Sequence, residues 1–182
     1  MKNNFIIDEI TGWVTNCIHR PSENFNDRPI KVKPKLLVIH SISLPPGKYN
    51  NNFVEDFFQN KLDFSAHPYF ETIKDLKVSS HFFIKQSGDL IQFVSCNKRA
   101  WHAGESIWNK QKNCNDFSIG IELEGRENEH FKDIQYDKLL LLIDCLKLHY
   151  KIEDIVGHSD IAPGRKTDPG VFFNWGLIKN EI

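Results

Sequence analysis

Two histidines that close apolar runs and an aspartate in the loop after the second could together hold a metal ion. His40 closes Lys35-Leu36-Leu37-Val38-Ile39, and His158 closes Ile155-Val156-Gly157. Ten residues after His158, Asp168 lies in Arg165-Lys166-Thr167-Asp168-Pro169-Gly170. Two imidazoles and one carboxylate are the ligand set of a catalytic Zn2+ site, which leaves the fourth tetrahedral position for water. Lys166 and Asp168 are two apart, so on extended chain both side chains point to one side. A lysine next to a metal ligand suits an anion that develops between them, such as the oxyanion of a tetrahedral intermediate. Glu122 sits in Ser118-Ile119-Gly120-Ile121-Glu122-Leu123-Glu124-Gly125. A carboxylate buried there could take a proton from water and pass it to a leaving nitrogen.

Each residue also has a simpler structural reading. His40 fits a histidine hydrogen-bonded at the edge of a core. Asp-Pro is a common helix start, with Asp168 as cap and Pro169 at the first helical position. Lys166 fits a solvated surface residue. Glu122, with Glu124 as its rival on the same face, fits an edge strand wetted by solvent. Trp101-His102-Ala103-Gly104 offers an indole face for a sugar ring and a histidine for a substrate contact, against a core tryptophan. His19, His67, His81, His130 and His149 show no spacing that joins them to this set, and His149 suits the end of a helix.

The elements that must position these groups follow from periodicity. Lys35–Ile39 reads as a strand covered on both faces. Ser118–Gly125 alternates, with Ile119, Ile121 and Leu123 opposite Ser118, Gly120, Glu122 and Glu124. Ser79–Lys85 and Leu90–Ser95 read as a hairpin turning at Gly88. The segment from Phe53 to Asn60 reads as a short helix. Asp133 is placed to cap a helix running to His149, with Leu139, Leu140, Ile143, Leu146 and Leu148 on its apolar face. Pro169–Ile178 reads as a last helix, and Pro21–Pro34 as a surface loop. Interleaved strands and helices predict an α/β fold: a single domain over 1–182, with a central mixed β-sheet flanked by helices and residues 1–34 packed on it.

Composition narrows the function classes. The chain has 182 residues, a net charge of −1, 40% hydrophobic and 26% charged residues. That length suits one domain with a real core. Near-neutral charge supplies no electrostatic draw toward nucleic acid or an anionic membrane. The opening Met1–Glu9 has an apolar run of three residues before two acids. A secretory signal needs roughly 7–15. Four scattered cysteines, Cys17, Cys96, Cys114 and Cys145, contain no C-x-x-C pair. The expectation is a cytoplasmic protein with reduced thiols.

Taken in order, His40 after its strand, Trp101–Gly104, Cys114-Asn115-Asp116-Phe117 with the Ser118–Gly125 run, Gly157-His158 and Arg165–Gly170 resemble the zinc-dependent N-acetylmuramoyl-L-alanine amidases. Ile42–Gly47 and Ala66–Phe70 are similar to the subgroup that cuts 1,6-anhydro-muropeptides in cell-wall recycling. The resemblance runs from about Gly12 to Trp175. It implies Zn2+ on His40, His158 and Asp168, Glu122 as general base and acid, and Lys166 as oxyanion stabiliser. It implies a soluble muropeptide as partner, cut between the lactyl group of anhydro-N-acetylmuramic acid and L-alanine, by a chain expected to be monomeric. Arg165 and Lys77 are candidates for peptide carboxylates, and Trp101, His102 and Ser41 for other substrate contacts. Ser41, Lys77 and Asn113 depart from the subgroup, which suggests asparagine, arginine and arginine there. A non-catalytic muropeptide sensor and an amidase of intact peptidoglycan are the alternatives.

Overall fold

The computed structural model describes residues 5–178. Met1–Asn4 and the last four residues of the expected 1–182 domain lie outside the described residues. A six-stranded mixed sheet forms the centre, in the order Asp154–Gly157, Leu36–Ile42, Ser118–Glu124, Phe82–Ile84, Leu90–Gln92, Ile18–His19. The first four strands run parallel, the Phe82–Ile84 and Leu90–Gln92 strands form the antiparallel hairpin, and Ile18–His19 pairs parallel at the far edge. This is the α/β mixed sheet that the periodicity predicts.

The two apolar runs with the strongest strand signal are neighbours at the middle of the sheet, which explains their composition. Leu36 to Ile39 are all at most 1% exposed, and Ile119, Ile121 and Leu123 are fully buried. One sheet face, carrying Leu37, Ile39, Phe82, Ile119, Ile121 and Leu123, packs on the helix Asp133–His149. On the other face Leu36 and Val38 pack with Phe117 and the helix His158–Ile161, while Phe83 and Ile91 pack with the helix Phe53–Phe58. Among the described residues no helix is long and apolar enough to cross a membrane.

Several local expectations are corrected. The first central strand continues to Ile42, so His40 sits inside its carboxyl-terminal part. The long helix starts at Asp133, but its cap is Lys132, whose N–H donates to the Gln135 side chain at 3.0 Å. Leu142 is buried on that helix and Leu148 is 84% exposed, because Leu148 falls off the stripe formed by Tyr136, Leu139, Ile143 and Leu146. The short helix ends at Phe58, and Asn60 is already left-handed. Pro169–Ile178 is not a helix. Gly170 has φ +94, and a Cβ there would lie 2.1 Å from the Glu127 carbonyl oxygen, so the chain turns tightly. Phe173 and Ile178 then pack into the core on the helix side, and only Trp175–Leu177 forms a 3₁₀ turn. Pro21–Pro34 is more than loop, since Phe25–Asp27 pairs with Lys98–Ala100. All four cysteines are free.

Gly120 shows how closely the central strand is packed. A Cβ there would meet the His102 ring at 2.5–2.7 Å. Gly120→Ala is expected to lower stability by about 1–3 kcal/mol through overpacking. Chemical denaturation of the two proteins measures this directly, and an unchanged midpoint would mean that the ring has room to move.

Candidate active site

Strand register brings the chemistry together. In the parallel ladder Glu122 is the partner of His40, and Gly157 is the partner of Ile39, so His158 follows at the same level. Three adjacent strands therefore deliver three polar side chains at their carboxyl ends, the usual binding edge of an open α/β sheet. Asp168 arrives from the loop after the short helix, whose return is tied by the Ser159 N–H donating to the Asp168 carbonyl at 2.9 Å. These residues line one cleft of about 490 Å³, together with Ser41, Trp101, His102, Arg126, Arg165 and Lys166.

Three donor atoms converge in it. His40 Nδ1 and His158 Nδ1 are 3.0 Å apart, and Asp168 Oδ2 lies 3.2 Å from the first and 3.1 Å from the second. They form a group able to hold a metal ion. Zinc bonds of about 2.0–2.1 Å in a tetrahedron put neighbouring ligands about 3.3 Å apart, close to what the side chains show. The protonation chemistry fits as well. In the tautomer with its proton on Nε2, His158 donates to the Ala103 carbonyl at 3.1 Å, and its Nδ1 then faces the group with a lone pair. Burial lowers the His40 pKa to about 4 despite the nearby carboxylate, so the ring is neutral at pH 7. Burial alone would raise the Asp168 pKa, but the His158 and His40 rings, 3.1 and 3.2 Å away, outweigh it and lower it, so the acid is ionised. Neutral imidazoles and an ionised carboxylate are the forms a metal binds. The helix-cap reading of Asp168 falls, since no helix starts at Pro169.

Glu122 and Glu124 are both buried, and neither lies on an edge strand. They differ in their partners. Glu124 accepts the N–H groups of Asn50 at 3.1 Å and Gln86 at 2.9 Å, which makes it a structural clamp on two loops. Glu122 Oε2 is buried with no hydrogen-bond partner. Burial, reinforced by Asp168 and opposed by Lys166, raises its pKa well above the ordinary 4.5. A buried carboxyl with an unengaged oxygen beside a donor cluster has the character of a proton-transfer group.

The remaining candidates divide. Lys166 lines the cleft and is exposed, with its charge felt by both His40 and Glu122. Arg165 lines it too, but its Nη2 donates to the Ala103 and Glu105 carbonyls at 2.7 and 2.5 Å, so it braces the Trp101–Gly104 loop. Trp101 lines the cleft half-buried, and its indole N–H is already used, donating to Asn26 at 3.0 Å. Ser41 lines the cleft, half-buried. Lys77 is exposed and outside the cleft lining, although Leu76 and Val78 belong to it. Asn113 is exposed and left-handed at a 3₁₀ turn. His102 lines the cleft, but both its nitrogens are engaged with protein, by His40 and Ser118.

Two contributors were given no role by the sequence, although Asn115 belongs to the Cys114–Phe117 segment of the resemblance. Arg28 reaches in from the Pro21–Pro34 segment and donates to the carbonyls of Cys96, Asn115, Asp116 and Ser118 at 2.8–3.3 Å. Asn115 Oδ1 accepts the N–H groups of His102 and Ala103 at 3.2 and 2.8 Å. Both depend on contacts between segments far apart in the chain.

A mixed sheet with a donor cluster and a buried acid at the carboxyl ends of its parallel strands has the groups that a metal-dependent hydrolase uses. Residues 29–171 match the family model described as N-acetylmuramoyl-L-alanine amidase. The chain belongs to that family. It is 45% identical over 166 residues to the 1,6-anhydro-N-acetylmuramyl-L-alanine amidase AmpD of Enterobacter cloacae, covering 90% of this chain and 89% of that one. The crystal structure of a selenomethionine AmpD derivative superposes with a TM-score of 0.93 at 42% identity, over 97% of this chain and 99% of that one. The amidase AmiD from E. coli, solved in complex with anhydro-N-acetylmuramic acid-L-Ala-D-γ-Glu-L-Lys, gives a TM-score of 0.60 at 28% identity, over 100% and 67%.

The buried proton on Glu122 has a pH consequence in metal-free protein. Below its ordinary pKa of 4.5 both folded and unfolded chains keep the proton. As pH rises, the unfolded chain ionises first, so stability falls until the folded pKa is passed. Glu122→Gln removes that loss. The variant is expected to melt higher than the native protein near about pH 7 but not near about pH 4. Equal melting temperatures at both pH values would contradict the buried neutral acid.

Proposed function

We propose that this chain hydrolyses the amide between the lactyl group of 1,6-anhydro-N-acetylmuramic acid and L-alanine in soluble muropeptides, as a zinc enzyme of cell-wall recycling. The observation that carries the reading is the convergence of His40, His158 and Asp168 at 3.0–3.2 Å, next in the sheet to a carboxyl with a buried oxygen left unpartnered. A non-catalytic sensor would have no use for either feature. The family match and the similarity to AmpD support the substrate class. We also read it as a cytoplasmic monomer with no nucleic-acid or membrane partner; its near-neutral charge supports the last two points.

His40, His158 and Asp168 hold the metal. A zinc ion held by them would supply the Lewis acidity that makes water nucleophilic near neutral pH. Glu122 accepts the proton of the attacking water as the new C–O bond forms. The Lys166 ammonium donates to the oxygen that turns anionic in the tetrahedral intermediate. Glu122 then returns the proton to the alanine nitrogen as the C–N bond breaks. The products are the lactyl carboxylic acid and a peptide with a free amino terminus. The half-buried Trp101 ring in the cleft lining carries the sugar, and Ser41, also in the lining, touches the substrate.

Incubation with anhydro-muramyl-tripeptide, analysed by mass spectrometry, tests the reading. Free tripeptide should appear, vanish with a chelator and return with added zinc, whereas an intact muropeptide throughout would refute it. Glu122→Ala should keep its zinc and lose turnover by a factor on the order of 10² or more. Native turnover in that variant would sink the base assignment. Asp168→Ala should emerge from gel filtration without zinc, and a full complement of metal would remove it from the ligand set.

A further inference from the structure

The two ligand histidines are supported differently. His158 Nε2 donates to a backbone carbonyl, the common arrangement behind a metal-bound imidazole. His40 Nε2 instead meets a second buried imidazole, His102 Nδ1, at 2.9 Å. His102 Nε2 in turn lies 3.1 Å from Ser118 Oγ, and Ser118 is fully buried. One proton assignment satisfies the chain of contacts. With Nδ1 of His40 facing the donor group, its proton is on Nε2 and is donated to His102 Nδ1. The His102 proton is then on Nε2 and is donated to Ser118 Oγ. His81 cannot compete for it. Its Nδ1 accepts the Gly120 N–H at 3.1 Å, and its Nε2 faces the Lys98 carbonyl at 3.0 Å.

The His102 ring is also fixed in space. It lies over the bare α-carbon of Gly120, where a Cβ would approach to 2.5 Å. Its backbone is held by Asn115, and the Ser118 carbonyl is held by Arg28 at 2.8 Å. Both His40 and His102 are buried. An imidazole this constrained, with its acceptor nitrogen on a ligand N–H, has a specific task.

We propose that His102, itself oriented by Ser118, is a positioning residue: it sets the tautomer and ring orientation of His40 and so tunes metal affinity. The inference rests on the zinc reading above. A neutral imidazole accepts the ligand's N–H without adding negative charge, as a carboxylate in that place would. His102 thus orients His40 while leaving the net positive charge of the loaded site undiminished.

The test measures zinc affinity by competition with a chromophoric chelator, which needs no muropeptide, alongside the melting temperature of the metal-free protein. His102→Leu keeps much of the volume and removes the acceptor; it should bind zinc about 10–100-fold more weakly. His102→Asn puts an amide oxygen near the Nδ1 position and should restore most of that loss, although both variants disturb packing. Ser118→Ala, the milder change, should weaken zinc in the same direction by about several-fold, and it decides the matter if His102→Leu does not fold. Native affinity in folded His102→Leu, equal losses in the Leu and Asn variants, or native affinity in Ser118→Ala where the Leu variant does not fold would overturn the positioning role. Those results would leave the amidase reading standing, because the native protein would still bind zinc and cleave. Absence of zinc binding by the native protein would overturn both.

Discussion

Three electron-pair donors held within 3.2 Å of one another, mostly out of water, repel unless something positive lies among them. The surrounding structure enforces this arrangement. His158 cannot turn its Nδ1 away without breaking its bond to Ala103, and Asp168 is tied back through its own carbonyl to Ser159. A fold that keeps such groups together, with His40 neutral and the carboxylate ionised, is preorganised for a cation. Preorganisation of this sort lowers the reorganisation that a metal must otherwise drive.

The same constraint explains why so many polar side chains are buried behind the cleft. Ser118, His102, His81, Asn115 and Gln135 are all at most 9% exposed. Each engages a ligand, the loop carrying His102, or the strand carrying Glu122, and Arg28 closes the set by gathering four backbone carbonyls. Buried polar networks are tolerable when their members are paired. Against that background the unpartnered oxygen of Glu122 stands out. Its neighbour on the same face, Glu124, is fully engaged with two backbone N–H groups. The contrast separates a structural carboxylate from one free to exchange a proton.

The strand Ser118–Glu124 concentrates this logic in seven residues. One face is Ile119, Ile121 and Leu123, which anchor the sheet to the long helix. On the other, Ser118 orients His102, Gly120 makes room for its ring, Glu122 opens to the cleft and Glu124 clamps two loops. The alternation that identifies the strand also sorts its residues into packing and chemistry.

Much of this was legible in the residues themselves. Hydrophobic periodicity located both central strands, the hairpin and the long helix, because a face that must leave water leaves a period in the sequence. The candidates His40, His158 and Glu122 could be named because each breaks an apolar pattern or follows it at once, and Asp168 because it lies in a short polar loop soon after His158. Other features were illegible for a common reason. That Pro169–Ile178 is a strap and not a helix depends on the Glu127 backbone crowding Gly170. That Glu122 rather than Glu124 is unengaged depends on loops some 70 and 40 residues earlier in the chain. That Arg165 braces a loop, that Lys77 stays outside the cleft, and that His102 backs His40 are facts of distance between segments far apart in sequence. Local pattern determined which residues could do chemistry and which elements would carry them. Only the packed fold, through register across three parallel strands, decided which of them meet.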